Sequence, residues 1–205
     1  MADLDRKLYV CFPGGFPADL LASVIEAGVD LVQLRMKDAE AADVIETADR
    51  FQHVCRDLGV PFILNDRPDI AFAVKADGVH LGQGDLPPRV AREIVGRDAI
   101  IGRSTHSKDD IERALREHAE GCADYIAVGP VNETPTKPGR PAVGLELIEH
   151  AAATVDFPWF AIGGIDETNV RDVVRAGAER IVVVRAITRA DDPVDAVRRL
   201  RDRLP

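Results

Sequence analysis

Eight short apolar runs rich in β-branched residues recur about every 25 residues along the chain, at 7–12, 31–36, 61–66, 78–82, 100–105, 123–130, 158–164 and 180–187. Between them lie stretches with helical spacing, such as Leu20, Leu21, Val24 and Ile25, then Ile111, Ala114 and Leu115, then Val170, Val173 and Val174. Ser107 is placed to cap one helix, and Asp166 or Thr168 another, while Gly28, Gly59, Gly121 and Gly177 stand where helices should close. Strands that alternate with helices must run parallel, joined by right-handed crossovers. Eight such units predict a single-domain (β/α)8 TIM barrel of the α/β class spanning 1–205, with no linker or low-complexity boundary. An open doubly wound sheet is the alternative, and it is weakened because no Gly-x-Gly-x-x-Gly follows the first run.

The barrel has a functional corollary, since the C-terminal ends of its strands share one rim and build the site there. The second run, Leu31-Val-Gln-Leu-Arg-Met-Lys37, puts Gln33, Arg35 and Lys37 on one face and Val32, Leu34 and Met36 on the other. Cations buried in a barrel mouth require an anion, either a phosphate or a carboxylate such as Asp66 or Asp38. The third run ends in Asn65-Asp66-Arg67-Pro68 and the fourth in His80-Leu-Gly-Gln-Gly-Asp85. Asp66 and Asp85 on adjacent loops make the sparse oxygen site that magnesium prefers, although Asn-Asp before Arg-Pro also reads as a helix cap.

The fifth run closes with Ser104, a hydroxyl donor suited to a phosphate oxygen, and with His106, a candidate acid or base. No chemistry is assigned to His106, nor to His53, His118 and His150, which fall in predicted helices. After the sixth run comes Gly129-Pro-Val-Asn-Glu-Thr-Pro-Thr-Lys-Pro-Gly-Arg140, a stiff polar loop that offers hydroxyls and an ammonium. Taken alone it is an exposed connection. Gly163-Gly164 ends the seventh run, and glycines after the last strands of a barrel allow backbone N–H groups to approach a phosphate closely, or simply make a tight turn.

Charge and cysteine usage narrow the partners. A net charge of −9 argues against nucleic acid or an anionic membrane, so a phosphorylated small molecule needs a local positive site. Cys11, Cys55 and Cys122 are odd in number, widely spaced and set among apolar neighbours, which fits buried thiols in a reducing compartment. With no apolar leader in Met-Ala-Asp-Leu-Asp-Arg-Lys and no long apolar span, a cytoplasmic location is expected. Association with further copies of the same chain is left open.

Taken together, Gln33-x-Arg35-x-Lys37, Asn65-Asp66, Gly82-Gln83-x-Asp85, Ser104, Gly129-Pro130 with Thr134-x-Thr136-Lys137, and Ile162-Gly163-Gly164 resemble the thiamine-phosphate synthase family from the second run to the eighth. The resemblance implies a (β/α)8 barrel that condenses a hydroxymethylpyrimidine diphosphate with a thiazole phosphate, releasing diphosphate with Mg2+ as cofactor. By position it implies that Gln33, Leu34, Arg35, Met36, Lys37, Asn65, Ser104 and Lys137 hold the pyrimidine diphosphate. It further implies that Arg35, Lys37 and Lys137 carry catalysis, that Asp66 and Asp85 hold the metal, and that Thr134, Pro135, Thr136, Gly164, Val184 and Arg185 receive the thiazole phosphate.

Two departures stand out: Arg185 occupies a position where the family often has a small hydroxyl residue, and Cys11-Phe-Pro-Gly-Gly-Phe16 replaces an expected threonine-aspartate pair. The related thiazole tautomerase is disfavoured because its strand-six histidine is replaced by Pro130. A non-catalytic phosphate sensor would not need Asp66 and Asp85 together. An aldolase-type barrel would need a Schiff-base lysine, and Lys37 sits instead beside Gln33 and Arg35.

Overall fold

A computed structural model describes residues 6–133 and 141–205. The eight apolar runs become β1 (Leu8–Phe12), β2 (Leu31–Leu34), β3 (Phe62–Asn65), β4 (Gly78–Leu81), β5 (Ile100–Thr105), β6 (Tyr125–Val128), β7 (Trp159–Ile162) and β8 (Ile181–Val183). All pair in parallel and in chain order, and β8 returns to β1 to close the barrel. Around it lie α1 (Ala18–Glu26), α2 (Ala41–Asp57), α3 (Pro68–Ala73), α4 (Pro88–Val95), α5 (Lys108–Ala119), α6 (Gly144–Thr154), α7 (Val170–Arg175), α8 (Arg185–Thr188) and α9 (Pro193–Arg201).

Strand alternation sorts the side chains into two cores. Outward residues, including Val10, Val32, Leu34, Phe62 and Leu64, pack against helix faces carrying Leu21, Val24, Phe51 and Ile111. Inward residues Tyr9, Leu31, Ile63, Ile100, Tyr125, Phe160 and Val182 fill the barrel. Phe160 meets the rings of Tyr9 and Tyr125 edge-on, each at 5.4 Å between centroids. Below the strands Asp30 ties the ends together: its carboxylate accepts from the backbone N–H groups of Lys7 and Leu8, both at 2.9 Å, and from Arg201 at 2.6 Å.

Most strands stop short of their apolar runs, because pairing ends at the rim. The run 180–187 differs most. β8 ends at Val183: its register with β7 closes at Ile162↔Val182, where β7 itself ends, and its register with β1 closes at Val10↔Val183, while β1 runs on to Phe12 paired with β2. Val184 then leaves the extended region (φ −126, ψ −85), and its carbonyl accepts from Thr188 N at 2.9 Å, so Arg185 opens a helical turn rather than extending a strand.

The Ser107 cap forms, its hydroxyl accepting from Asp110 N at 3.1 Å. At α7 the cap residue is Asn169, whose side chain accepts instead from Asp166 N. Gly28, Gly59, Gly121 and Gly177 all sit at positive φ just past helix ends. The three cysteines are buried and none is in a disulfide. Among the described residues no helix is long and apolar enough to cross a membrane.

Candidate active site

Three neighbouring strand ends build the polar half of the rim. Gln33 faces the barrel interior from β2, beside Cys11 of β1 and Ile63 of β3, and is 5% exposed. Arg35 follows, with its backbone N donating to Phe12 O at 2.9 Å. Both Arg35 and Lys37 lie close enough to Asp66 for their charges to favour its ionised form. Leu34 and Met36 point the other way and pack into the outer core, so these two can serve a ligand at the rim only through their backbone.

Asp66 follows β3 in the left-handed region (φ 65), which aspartate tolerates better than most residues. Its N–H donates to His80 O at 2.9 Å, and the α3 cap position is Arg67, with no side-chain cap bond. The Asp66 carboxyl is therefore not spent on α3. It hydrogen-bonds the Asp85 carboxyl instead, and burial first, then that hydrogen bond and the like charge of Asp85, push Asp66 up to about 6 despite Arg35 and Lys37. Paired carboxyls that resist ionising together are a donor set suited to a divalent cation. Among the described residues no group of three or more His, Cys, Asp or Glu could hold a metal.

The loop bearing Asp85 is held from both sides. Asp85 Oδ2 accepts from Gly82 N at 2.6 Å, and the buried Arg103 of β5 donates to Gly82 O at 2.6 Å. Gln83 Nε2 donates to Ser104 O at 2.6 Å, which fixes the loop to the end of β5. Asn65, opposite His80 in the β3–β4 register, completes this side.

The other half of the rim is a cavity of about 480 Å3 lined by Ser104, His106, Gly129, Pro130, Glu133, Ile162 to Asp166, Val182 to Ala186 and Arg189. Gly163 and Gly164 bring backbone against backbone here. A Cβ on Gly163 would stand 2.4 Å from Pro130 Cα, and one on Gly164 2.8 Å from Asn132 Cβ, so neither position accepts a side chain. His106 lines the cavity, with its Nδ1 2.5 Å from Gly129 O. A smaller cavity of about 220 Å3 joins Cys11, Phe12, Pro13 and Arg35 to Val184, Arg185, Thr188 and Arg189, linking the two halves.

The structure thus brings together Gln33, Arg35, Lys37, Asn65, Asp66, Asp85, Ser104, Gly164, Val184 and Arg185 at one rim. Thr134, Pro135, Thr136 and Lys137 lie outside the described residues; Glu133, the residue before them, lines the larger cavity. Sequence reasoning passed over Arg189 and the interior Tyr9, His80 and Tyr125. His80 had a signal, since it faces inward at the level of Asn65 and Gly102.

A closed (β/α)8 barrel whose ionisable side chains converge at the C-terminal ends of its strands defines a barrel enzyme with its site at that rim. Comparison with known proteins narrows this class. The family model for thiamine monophosphate synthase matches residues 9–187. The chain is 48% identical to thiamine-phosphate synthase of Acidothermus cellulolyticus, over 98% of this chain and 95% of that one. It is 52% identical to thiamine-phosphate synthase of Thermus thermophilus, over 91% and 88%. Among solved structures, thiamine phosphate pyrophosphorylase from Pyrococcus furiosus superposes with a TM-score of 0.85 at 33% identity, covering 96% and 94%. The 3-hexulose-6-phosphate synthase shares the fold alone, at a TM-score of 0.69 and 20% identity. The chain belongs to the thiamine monophosphate synthase family.

Proposed function

We propose that this chain condenses 4-amino-2-methyl-5-hydroxymethylpyrimidine diphosphate with a thiazole phosphate to give thiamine phosphate and diphosphate. One observation carries the reading: Arg35 and Lys37 lie near the paired Asp66 and Asp85, and Arg35 lines a small cavity that shares Val184, Arg185 and Arg189 with the larger one lined by Gly163 and Gly164. Cations, a carboxylate pair and a second compartment are what two phosphorylated reactants require, and the relatives named for thiamine-phosphate synthesis support it.

On this reading Gln33 and Asn65 hold the pyrimidine end, with the backbone of Leu34 and Met36 alongside, while Arg35, Lys37, Lys137 and Ser104 hold the diphosphate. Asp66 and Asp85 hold Mg2+, which when bound neutralises charge on the diphosphate oxygens. The C–O bond to the pyrimidine methylene breaks with its electron pair leaving on diphosphate, and the guanidinium and ammonium groups stabilise that charge as it develops. The thiazole nitrogen, held by its phosphate against Thr134, Pro135, Thr136, Gly164, Val184 and Arg185, donates its lone pair to the exposed carbon. No protein nucleophile takes part. The exposed Arg185, which lines both cavities, serves the phosphate with its guanidinium. The working protein is then a barrel acting on small phosphorylated molecules in the cytoplasm, alone or as a homo-oligomer, with no nucleic acid or membrane partner.

Calorimetric titration tests the two compartments. Thiazole phosphate should bind with or without Mg2+, whereas inorganic diphosphate should need it. Diphosphate binding that ignores Mg2+, or thiazole phosphate that fails to bind at all, contradicts the assignment.

A further inference from the structure

Beneath the rim a single run of hydrogen bonds crosses the barrel. Cys11 Sγ donates to Gln33 Oε1 at 3.2 Å, and Gln33 Nε2 donates to the Tyr9 hydroxyl. The hydroxyls of Tyr9 and Tyr125 lie 2.8 Å apart, Tyr125 Oη is 3.0 Å from His80 Nδ1, and His80 Nε2 is 2.9 Å from Ser104 Oγ. Every member is buried, and the two tyrosines are 0% exposed. Gln33, next to the Cys11 end, and Ser104, at the other end, are residues that the proposed function assigns to the same substrate.

The fold makes room for this run. A Cβ on Gly102 would stand 2.1 Å from Tyr125 Cζ and 2.3 Å from its hydroxyl oxygen, so the phenol occupies the place of a β5 side chain. Burial raises both phenols well above their ordinary range, so each keeps one proton and can donate once.

Those donors give the run a direction. With the Gln33 amide nitrogen toward Tyr9, the one Tyr9 proton is placed to donate to Tyr125 and the one Tyr125 proton to donate to His80 Nδ1. A neutral imidazole that accepts at Nδ1 carries its proton on Nε2 and donates it to Ser104 Oγ. The Ser104 proton is then turned away from His80. We propose that Tyr125 and His80 are positioning residues that hold the Ser104 hydroxyl as a donor toward the substrate diphosphate. If the Gln33 amide were reversed, every bond could reverse with it, and Ser104 would present lone pairs to an anion. The amide that reads the heterocycle thereby governs how the far end of the pocket meets the phosphates. The inference rests on the functional reading above.

Two measurements on the full chain test it. The first is the tautomer of His80 in 15N-labelled protein, with its resonances assigned by their loss in His80→Asn. The Nε2–H form is expected, and an Nδ1–H form overturns the proposal. The second is calorimetry of Tyr125→Phe with inorganic diphosphate and Mg2+. Binding should weaken roughly tenfold, with His80 shifting to Nδ1–H and thiazole phosphate binding unchanged. Wild-type affinity for diphosphate in that variant also overturns it. The tautomer is read on unsubstituted protein, so it decides the matter even if Tyr125→Phe does not fold. A wild-type protein that binds no diphosphate refutes the functional reading instead, while the tautomer still reports the direction of the chain.

Discussion

Replacing Asp66 with asparagine should make the metal-free protein more stable above pH 6 and deprive it of its response to Mg2+. Asparagine keeps the size and tolerates the left-handed backbone at this position, so the change removes charge and little else. Burial and Asp85 raise the carboxyl from its ordinary 3.8 to about 6. The folded protein therefore holds a proton that the unfolded chain releases near pH 4. Stability that is full below that pH is lost as the pH climbs to about 6, and the loss is complete above it. At about 1.4 kcal/mol per pH unit the shift would correspond to about 3 kcal/mol for a group cut off from solvent. Asp66 is only about half buried, so solvent screening reduces this to about 1 kcal/mol. For a chain of this length that is a rise in Tm of about 2–4 °C at pH 8 for Asp66→Asn, falling to roughly a third of that at pH 4.5. Thermal unfolding followed by circular dichroism at both pH values reads it directly. Added Mg2+ should raise the Tm of the wild type at pH 8 and leave the variant unmoved. Equal pH dependence in both proteins, or equal stabilisation by Mg2+, refutes the coupled carboxyl pair.

Arg35→Met should lower kcat/KM by roughly 100-fold or more with the fold intact, because a guanidinium facing the leaving group acts mainly in the transition state; a loss under fivefold in a steady-state assay counts against that role. Gly102→Ala should cost about 1–3 kcal/mol in urea unfolding, since the new Cβ collides with the Tyr125 ring, and a neutral result would mean the ring is not seated there. Asp30→Ala should cost about 1–3 kcal/mol, because it strands two backbone N–H groups and Arg201 at the base of the barrel. Faster amide exchange at Lys7 and Leu8 would confirm that site.

The fold was legible in the sequence because a parallel strand buried on both faces reads as a continuous apolar run, and eight of these recur with helices between. The place of Gln33, Arg35, Asp66 and Asp85 at the rim was legible for the complementary reason: they are polar where an apolar run ends, a pattern that a helix cap or an ion pair also produces. The end of β8 was misjudged because Val184, Ala186 and Ile187 are apolar although pairing has stopped, and pairing depends on the register with β7 and β1 rather than on residues 180–187 themselves. The Tyr9–Tyr125–His80 run was invisible for a similar reason. A tyrosine inside an apolar strand looks like core, and its hydroxyl partner is 116 residues away. The contact between Asp66 and Asp85, and the use of Arg103 to hold the Asp85 loop, likewise depend on strand register.

The most direct test of the central claim is to mix the protein with hydroxymethylpyrimidine diphosphate and thiazole phosphate and follow both products by 31P NMR, with Mg2+ or with a chelator. The account predicts thiamine phosphate and diphosphate appearing in equal amounts, only when Mg2+ is present. Diphosphate released without thiamine phosphate, or no turnover from folded protein that binds both substrates, would contradict it.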